Sequence, residues 1–313
     1  MIDVMIRTFS RESDIEDYVK FANEAHADYP GHVELTVDIC KQYFLNPDFN
    51  EKSHLLAISR NKIIGSIYMI KTNQANVVEL SILLKPDFRY IGIEKKLLDT
   101  ILMNECYRDI NEYRISIPSK FDNLNNVLHE NNFTYWKSGY HMIFTTDTFE
   151  PKDVFISKNY SLESAIFPND KESIINTLEL GFQDVVDDTT NIINGFIGLY
   201  TEKFFDYNGV FVTKRNNNIV GVIINVIHPE ISSMGIISWL TVLQMDRNKG
   251  LGKALLLNSL NWFKQKGVKR VELDVDLEVP SAVRLYSSCG FKVETEIIIL
   301  RKFKKQKELD NKY

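Results

Sequence analysis

The stretch MDRNKGLGKALL, Met245 to Leu256, places two glycines one residue apart among basic residues. An apolar run precedes it and a helix-like run follows it, so the glycines fall where a strand ends and a helix begins. The first backbone N–H groups of a helix have no partner inside it. The helix dipole adds roughly half a positive charge at that end. Because glycine lets an anion approach the backbone closely, Gly250 and Gly252 predict a pyrophosphate site.

Two common phosphate-binding patterns do not fit this stretch. The P-loop requires GxxxxGK[ST], which the sequence lacks, and the dinucleotide fingerprint GxGxxG fails because position 255 is Leu255. The pattern that remains is R-x-x-G-x-G, from Arg247 to Gly252. In isolation this pattern is equally typical of a tight turn whose glycines serve packing. Lys249 and Lys253 add mobile positive charge to that of the arginine.

An internal repeat runs through the chain. RYIGIEKKLL begins at Arg89 and RNKGLGKALL at Arg247, a spacing of 158 residues. LHENNF and YSSCGF end at Phe133 and Phe291 with the same spacing, and two glycine-containing strands lie 156 residues apart. This near-constant spacing predicts two homologous halves.

The two halves share an order of elements in which strands first meet as hairpins and later through helices. This order predicts an α/β fold with a mixed sheet in each half. We predict domains at residues 1–150 and 151–313, separated by the loop-like stretch TTDTFEPKDVF. The first helix is predicted from Arg11 to His26 with Ser10 as its N-cap, and the first half is expected to end in a pair of strands.

Composition narrows the class of protein. Hydrophobic residues make up 44% and charged residues 25% of the 313 residues, as in globular proteins. The net charge of -5 and the isoelectric point near 5.8 argue against a general nucleic-acid binder. The three cysteines are far apart and the six histidines scattered, which favours the cytoplasm and no metal site. No signal peptide and no membrane span are expected, because no uncharged stretch approaches ~18 residues.

Two stretches of the second half resemble the GNAT acyltransferase superfamily. ISWLTVLQMDRNKGLGKALL is similar to the strand, loop and helix that bind pyrophosphate in that family, and AVRLYSSCGF, Ala282 to Phe291, to its later A-x-x-L-Y-x-x-x-G-F signature. The resemblance covers most of Phe155–Phe303 and reaches the first half through the repeat. One departure is Val279, where many members carry an asparagine, which costs a possible hydrogen bond. The chain therefore resembles a tandem protein with two GNAT-like domains, each a mostly antiparallel twisted sheet flanked by helices.

The resemblance implies acetyl-CoA as the acyl donor and an amine as the acceptor. It places the pantetheine arm of coenzyme A beside a splayed strand at Ser238–Leu243. A backbone N–H near Val242 is then expected to stabilise negative charge on the thioester oxygen. The implied cofactor-binding residues are Leu240, Val242, Arg247, Asn248, Lys249, Gly250, Leu251, Gly252 and Lys253.

The resemblance also implies that Tyr286 protonates the departing thiolate, because it occupies the family's tyrosine position. The base is left open. Glu272, Asp274 and Asp276 alternate along one predicted strand and so point to one face. Glu230 precedes the splayed strand, and deprotonation through water is an equal alternative.

The first half departs much further from the family pattern. It has Glu94, Leu128 and Asn132 where the second half has Gly252, Tyr286 and Gly290. A carboxylate repels pyrophosphate, and a leucine side chain cannot donate a proton. We therefore expect the first half to keep the fold and to lack catalysis.

These observations predict a cytoplasmic, acetyl-CoA-dependent N-acetyltransferase whose active site lies in the second half. The expected acceptor is a primary amine of a small molecule or peptide, and the oligomeric state is left open. An acidic rim of Asp184, Asp187 and Asp188 would suit a cationic amine, but an exposed, solvated loop is the favoured interpretation of these residues. The alternatives are a non-catalytic acyl-CoA-binding or regulatory protein and a scaffold with neither activity.

Overall fold

The computed structural model describes residues 3–29, 34–44, 49–72, 74, 76–104, 106, 109–186 and 189–304. The chain forms two compact units. We call Met1–Lys137 together with Ile297–Tyr313 the first unit and Ser138–Glu296 the second unit. The predicted domains, residues 1–150 and 151–313, follow the sequence repeat and have other bounds than these units. They stay a prediction.

The described residues include eight α-helices and twelve strands. The helices are α1 (Ile15–His26), α2 (Val37–Phe44), α3 (Ile93–Leu102), α4 (Asp122–Glu130), α5 (Lys171–Phe182), α6 (Thr190–Thr201), α7 (Leu251–Gln265) and α8 (Pro280–Ser288). The strands are β1 (Met5–Thr8), β2 (His54–Ser59), β3 (Lys62–Lys71), β4 (Val77–Leu84), β5 (Glu112–Pro118), β6 (Thr134–Thr145), β7 (Ser161–Ser164), β8 (Val210–Arg215), β9 (Asn218–Ile227), β10 (Met234–Val242), β11 (Arg270–Asp276) and β12 (Lys292–Phe303).

Each unit contains a mixed sheet, as the sequence predicts. The first unit has the strand order β1-β2-β3-β4-β5-β12, in which only β4 and β5 are parallel. The second unit has the order β6-β11-β10-β9-β8-β7, in which only β10 and β11 are parallel. The last strand of each repeat thus contributes to the sheet of the other unit: β12 pairs with β5, and β6 pairs with β11. This exchange is why the unit bounds differ from the repeat.

Two sequence expectations for the first half are wrong. The first helix begins at Ile15 rather than Arg11, and its N-cap is Asp14 rather than Ser10. The Asp14 carboxylate accepts the backbone N–H of Ser10 at 2.8 Å and pairs with Arg7, which places it at the helix entrance. The expected closing pair of strands is one strand of 12 residues, β6.

Apolar side chains cover both faces of the second unit's sheet. On one face, Leu255 and Leu260 of α7 pack with Val271 and Leu273 of β11. The other face is packed by α5 and α6, which form a separate cluster with β8 and β9. Because side chains alternate along a strand, the neighbours of the buried β11 positions point away from α7. The polar residues of β11, including Glu272, therefore lie on the face of the sheet opposite α7.

Candidate active site

Strands β10 and β11 form a fork. Their parallel pairing runs only from Met234 to Ile236, opposite residues 270–272. Beyond that point β10 continues to pair with β9 as far as Val242, with an irregularity between Ile237 and Trp239. The splayed strand expected from the resemblance is therefore present.

Backbone N–H groups of β10 point into the fork. Leu243 donates its N–H to the Val220 carbonyl on β9 at 2.8 Å. N–H directions alternate along a strand, so those of Val242 and Leu240 point away from β9. These are the two strand positions that the resemblance implies for contact with the acyl donor.

The glycine turn at the end of the fork is open. Asn248 and Gly250 have positive φ values of 62° and 79°, and Gly250 is the N-cap of α7. A Cβ added at Gly250 would meet no atom within 4 Å, whereas one at Gly252 would lie 3.3 Å from a Leu285 methyl and 4.0 Å from a Val242 methyl. The strand end, the turn and α8 therefore meet at Gly252, whereas the space that a Cβ would fill at Gly250 is open.

Arg247 does not supply the mobile charge that the sequence suggested. Its Nε donates to the Val242 carbonyl at 2.9 Å, and its Nη2 donates to the Gly181 carbonyl at 2.8 Å. The guanidinium also pairs with Asp184, which lowers the pKa of that carboxyl. Arg247 thus ties the end of α5 to the end of β10, and Asp184 belongs to this clamp rather than to an acceptor rim. The other two rim residues, Asp187 and Asp188, lie outside the described residues.

The two lysines of the turn differ in their environments. Lys249 donates to the Tyr160 hydroxyl at 3.0 Å, to the Met245 carbonyl at 2.8 Å and to the buried Asp246 at 3.2 Å. The hydrogen bonds to Tyr160 and Asp246 raise the pKa of Lys249. Lys253 is exposed on the first turn of α7 and has no hydrogen bond or ion pair with any described residue. Lys253 is therefore the lysine of this pair that remains available to an anion.

In the first unit, a protein carboxylate occupies the equivalent turn. Tyr90 and Gly92 repeat the positive φ values, at 69° and 88°. The buried Glu94 accepts the Tyr90 backbone N–H at 2.6 Å. Arg89 repeats the clamp by donating to the Leu84 carbonyl and pairing with Asp28. The two turns thus share a backbone conformation, and the first is closed by its own anion.

Tyr286 belongs to α8, and its side chain is buried in the core of the second unit. It is 7% exposed, and its ring meets Phe291 edge-on at a centroid distance of 5.8 Å. Burial raises the pKa of the phenol, so it stays protonated at neutral pH. Its hydroxyl has no hydrogen-bond partner among the described residues. Leu128, the equivalent residue of the first unit, is fully buried in an apolar cluster.

The candidate bases do not all come together. Glu230 lies in the loop before β10, at the opposite end of that strand from the glycine turn. Asp276 accepts the backbone N–H of Glu278 at 2.9 Å, which ties it to the turn after β11. Glu272 and Asp274 lie near the fork, and both contact His141 of β6.

Sequence reasoning missed His141, because it belongs to the first repeat and enters this sheet through strand exchange. Its Nδ1 lies 2.8 Å from Asp274 Oδ1. The hydrogen bond to Asp274, together with the charges of Glu272 and Glu294, raises the pKa of His141. A self-comparison of the sequence gives no signal for it, since its counterpart in the second repeat is Ile299.

Other classes of site find no support in the described part of the chain. It holds no group of three His, Cys, Asp or Glu side chains arranged to bind a metal ion. None of its helices combines the length and apolar character needed to cross a bilayer.

The acetyltransferase (GNAT) family model matches residues 179–291, which lie within the second unit. The mycothiol acetyltransferase of Thermobispora bispora is 34% identical over 105 residues, a match that spans 32% of this chain and 36% of that protein. The chain therefore matches only about a third of that relative's length.

Two solved structures share the fold over nearly the whole chain. A GCN5-related N-acetyltransferase from Sphaerobacter thermophilus superposes with a TM-score of 0.80 at 14% identity, covering 96% of this chain and 95% of that one. A tandem GNAT protein from the clavulanic acid biosynthesis pathway gives 0.73 at 14% identity, covering 96% and 98%. Over nearly the whole chain, the fold is therefore similar to that of a tandem GNAT protein.

Proposed function

We propose that the second unit transfers an acetyl group from acetyl-CoA to a primary amine, because residues 179–291 match the acetyltransferase (GNAT) family model. The first unit, in this proposal, binds no acetyl-CoA. The donor follows from the family, and the acetyl group also from the name of the matched relative. The amine acceptor is a small molecule or a peptide.

The geometry of the second unit fits such a donor. A pyrophosphate placed at the turn would accept the free N–H groups of Leu251, Gly252 and Lys253 and meet the exposed Lys253 ammonium. The pantetheine arm would follow β10 into the fork, where the N–H groups of Leu240 and Val242 replace the missing strand partner. Arg247 fixes the Val242 carbonyl and thereby the direction of the adjacent N–H groups.

Two groups of the second unit would act on the thioester. The N–H of Val242 would donate to its carbonyl oxygen and stabilise the negative charge that develops there. Tyr286, kept protonated by burial, would give its proton to the departing sulfur.

One observation carries this proposal: the turn of the second unit has no side chain at Gly252 beside the fork, whereas Glu94 closes the equivalent turn of the first unit. The two turns have similar positive φ values, so they differ in this side chain and not in backbone conformation. A Cβ at Gly252 would lie 3.3 Å from a Leu285 methyl, so packing also favours glycine there. A bound anion in the second unit would take the place of the Glu94 carboxylate, which supports a pyrophosphate site at this turn.

The test is thiol release from acetyl-CoA by the full chain, with a panel of aminoglycosides, polyamines, amino acids and peptides. Thiol release that depends on one amine, with stoichiometric amide formed, is the expected result. Tight coenzyme A binding in calorimetry without release for any amine would favour the non-catalytic acyl-CoA-binding alternative. No binding of coenzyme A at all would overturn the proposal and its pyrophosphate site together.

A further inference from the structure

Strand exchange brings His141 to the fork of the second unit. In the β6–β11 register, His141 lies directly opposite Asp274. Glu272 is paired with Ile236, the last residue of β10 that pairs with β11, and therefore marks the apex of the fork. His141 thus lies one strand away from the residues where the two strands separate.

His141, Glu272 and Asp274 share one face of the sheet. Val271, Leu273 and Val275 are buried on the α7 face, so the intervening residues of β11 point the other way. The contacts of His141 with Glu272 and Asp274 show that it lies on that second face. An acceptor that enters the fork from this face does not need to cross the donor site on the α7 side.

The hydrogen bond between His141 and Asp274 fixes the tautomer of the imidazole. When the imidazole is neutral, Nδ1–H donates to the Asp274 carboxylate, which leaves the Nε2 lone pair unprotonated. Nε2 is buried, has no hydrogen-bond partner among the described residues, and lies 3.5 Å from Glu272 Oε2 and 3.6 Å from Glu294 Oε2. A proton accepted at Nε2 would therefore enter a negative environment.

Two of the surrounding carboxylates form ion pairs with an arginine. Arg270 pairs with Glu272 and, at 2.8 Å, with Glu294. The charged groups that face His141 are thus Glu272 and Asp274 of β11 and Glu294 of β12, with Arg270 behind the two glutamates. The guanidinium of Arg270 thus contacts the same two glutamates that lie beside Nε2.

We propose that His141 is the base that removes the proton from the acceptor ammonium, oriented by Asp274. This inference rests on the proposed function. The Nε2 atom takes one proton from R–NH₃⁺, and the freed amine nitrogen forms the C–N bond as the C–S bond breaks. Tyr286 protonates the sulfur and regains a proton from the new amide nitrogen through water. The sum is one amide, one thiol and one proton released from His141 to solvent.

The proposal predicts how the rate depends on pH. A histidine acts as a base only when it is neutral, and the pKa of His141 is raised above 6.5. The value of kcat/KM for the amine is therefore expected to rise with pH through that raised pKa. A histidine that served only to hold β6 to β11 would give no such rise of kcat/KM with pH. We call this rise the histidine limb of the pH profile.

The experiment compares His141→Gln with the parent in the full chain over pH 5.5–9. Glutamine can still donate to Asp274 but cannot take up the proton. We expect kcat/KM to fall by about 10²-fold, in the range of general base catalysis, and the histidine limb to vanish. Coenzyme A affinity should stay constant. His129→Gln removes a histidine of the first unit and should leave the profile unchanged.

A second variant covers the case in which His141→Gln does not fold. Asp274→Asn removes the largest cause of the raised pKa, so the limb should move to lower pH with a smaller loss of kcat. An NMR titration of His141 in the parent must give the same pKa as the limb. If the parent is active and both variants keep its profile, His141 is not the base. If the parent acetylates no amine, the proposed function fails first, and this inference fails with it.

Discussion

The Glu94 carboxylate accepts the backbone N–H of Tyr90 at 2.6 Å, within a turn that the second unit repeats without a carboxylate. In that second turn, Asn248 stands in place of Tyr90 and Gly252 in place of Glu94. A helix N-terminus with neighbouring free N–H groups attracts an anion in either unit. The first unit provides the anion from its own chain, and the second leaves the position to a ligand.

Gly252→Glu should therefore abolish coenzyme A binding and leave the second unit folded. The new carboxylate can close the turn as Glu94 does. Its Cβ would lie 3.3 Å from a Leu285 methyl, which has to move slightly, and 4.0 Å from a Val242 methyl. Replacing a helical glycine by a better helix former stabilises the helix by roughly 1 kcal/mol, which offsets part of any strain. Calorimetric titration with coenzyme A and a thermal melt on the same variant measure the two effects.

The control for this variant is Glu94→Gln, which removes a charge from the first unit alone. It should leave coenzyme A affinity unchanged. Unchanged affinity in Gly252→Glu would mean that the glycine serves packing. A fall in coenzyme A affinity with Glu94→Gln would contradict the expectation that donor binding does not depend on the first unit.

Arg247→Met should weaken coenzyme A binding, although the guanidinium contacts no phosphate in this proposal. The substitution leaves the carbonyls of Val242 and Gly181 without their donor and so loosens the end of β10. A loss of about tenfold in affinity, or ~1.4 kcal/mol, is expected. Arg89→Met breaks the same clamp in the first unit and is the matched control. It should lower the melting temperature comparably and leave the affinity unchanged; an equal loss of affinity in both variants would contradict this account.

The first unit should lose stability in acid because of His54. Its ring is 1% exposed and stacks on Phe9 at a centroid distance of 4.8 Å, and neither ring nitrogen has a hydrogen-bond partner among the described residues. Burial lowers the pKa of His54 from 6.5 to about 3. The folded state therefore binds fewer protons than the unfolded state between these values, and stability falls as the pH drops below 6.5.

Urea unfolding at pH 7 and pH 5 measures this loss. The parent should lose about 2 kcal/mol more than His54→Phe between the two pH values, at ~1.4 kcal/mol per pH unit. His129→Gln, at a histidine of α4, should retain the loss shown by the parent. An equal slope for the parent and His54→Phe would show that other groups carry the acid sensitivity.

Local chemistry explains which features the sequence predicts well. The sequence predicts strands near His54–Ser59 and Val77–Leu84, and the structure has both with these bounds. It also predicts a helix from Leu251 to Lys266 after the glycine turn, and the structure has α7 at Leu251–Gln265. These features depend on the types and spacing of residues within about ten positions.

Features that depend on tertiary pairing could not be predicted in this way. The clamp of Arg247 joins it to Asp184, 63 residues earlier. His141 enters the second unit only because β6 crosses into its sheet, and it meets Asp274 133 residues later. The clamp had one available signal, since the pair Asp28 and Arg89 recurs in the second repeat. The strand exchange had no such signal, because the sequence of β6 or β12 predicts a strand without indicating which of the two sheets it joins.

Tyr286→Phe should lower kcat without changing the affinity for acetyl-CoA. Phenylalanine keeps the ring and its edge-on contact with Phe291, so the packing of α8 is preserved. Only the hydroxyl is lost, and the hydroxyl is needed as charge develops on the departing sulfur. General acid catalysis is typically worth ~10²–10⁴-fold, so a loss of that size is expected in thiol release.

The matched control for this variant is Tyr113→Phe, which removes a hydroxyl from a buried tyrosine of the first unit. It should leave kcat and the dissociation constant of acetyl-CoA unchanged. The pH profile adds a second readout. Burial raises the pKa of Tyr286, so the phenol stays protonated and the parent should show no decline in kcat between pH 8 and pH 9. Turnover of Tyr286→Phe at the parent rate, with chemistry limiting in a single-turnover experiment, would mean that water or another residue protonates the thiolate.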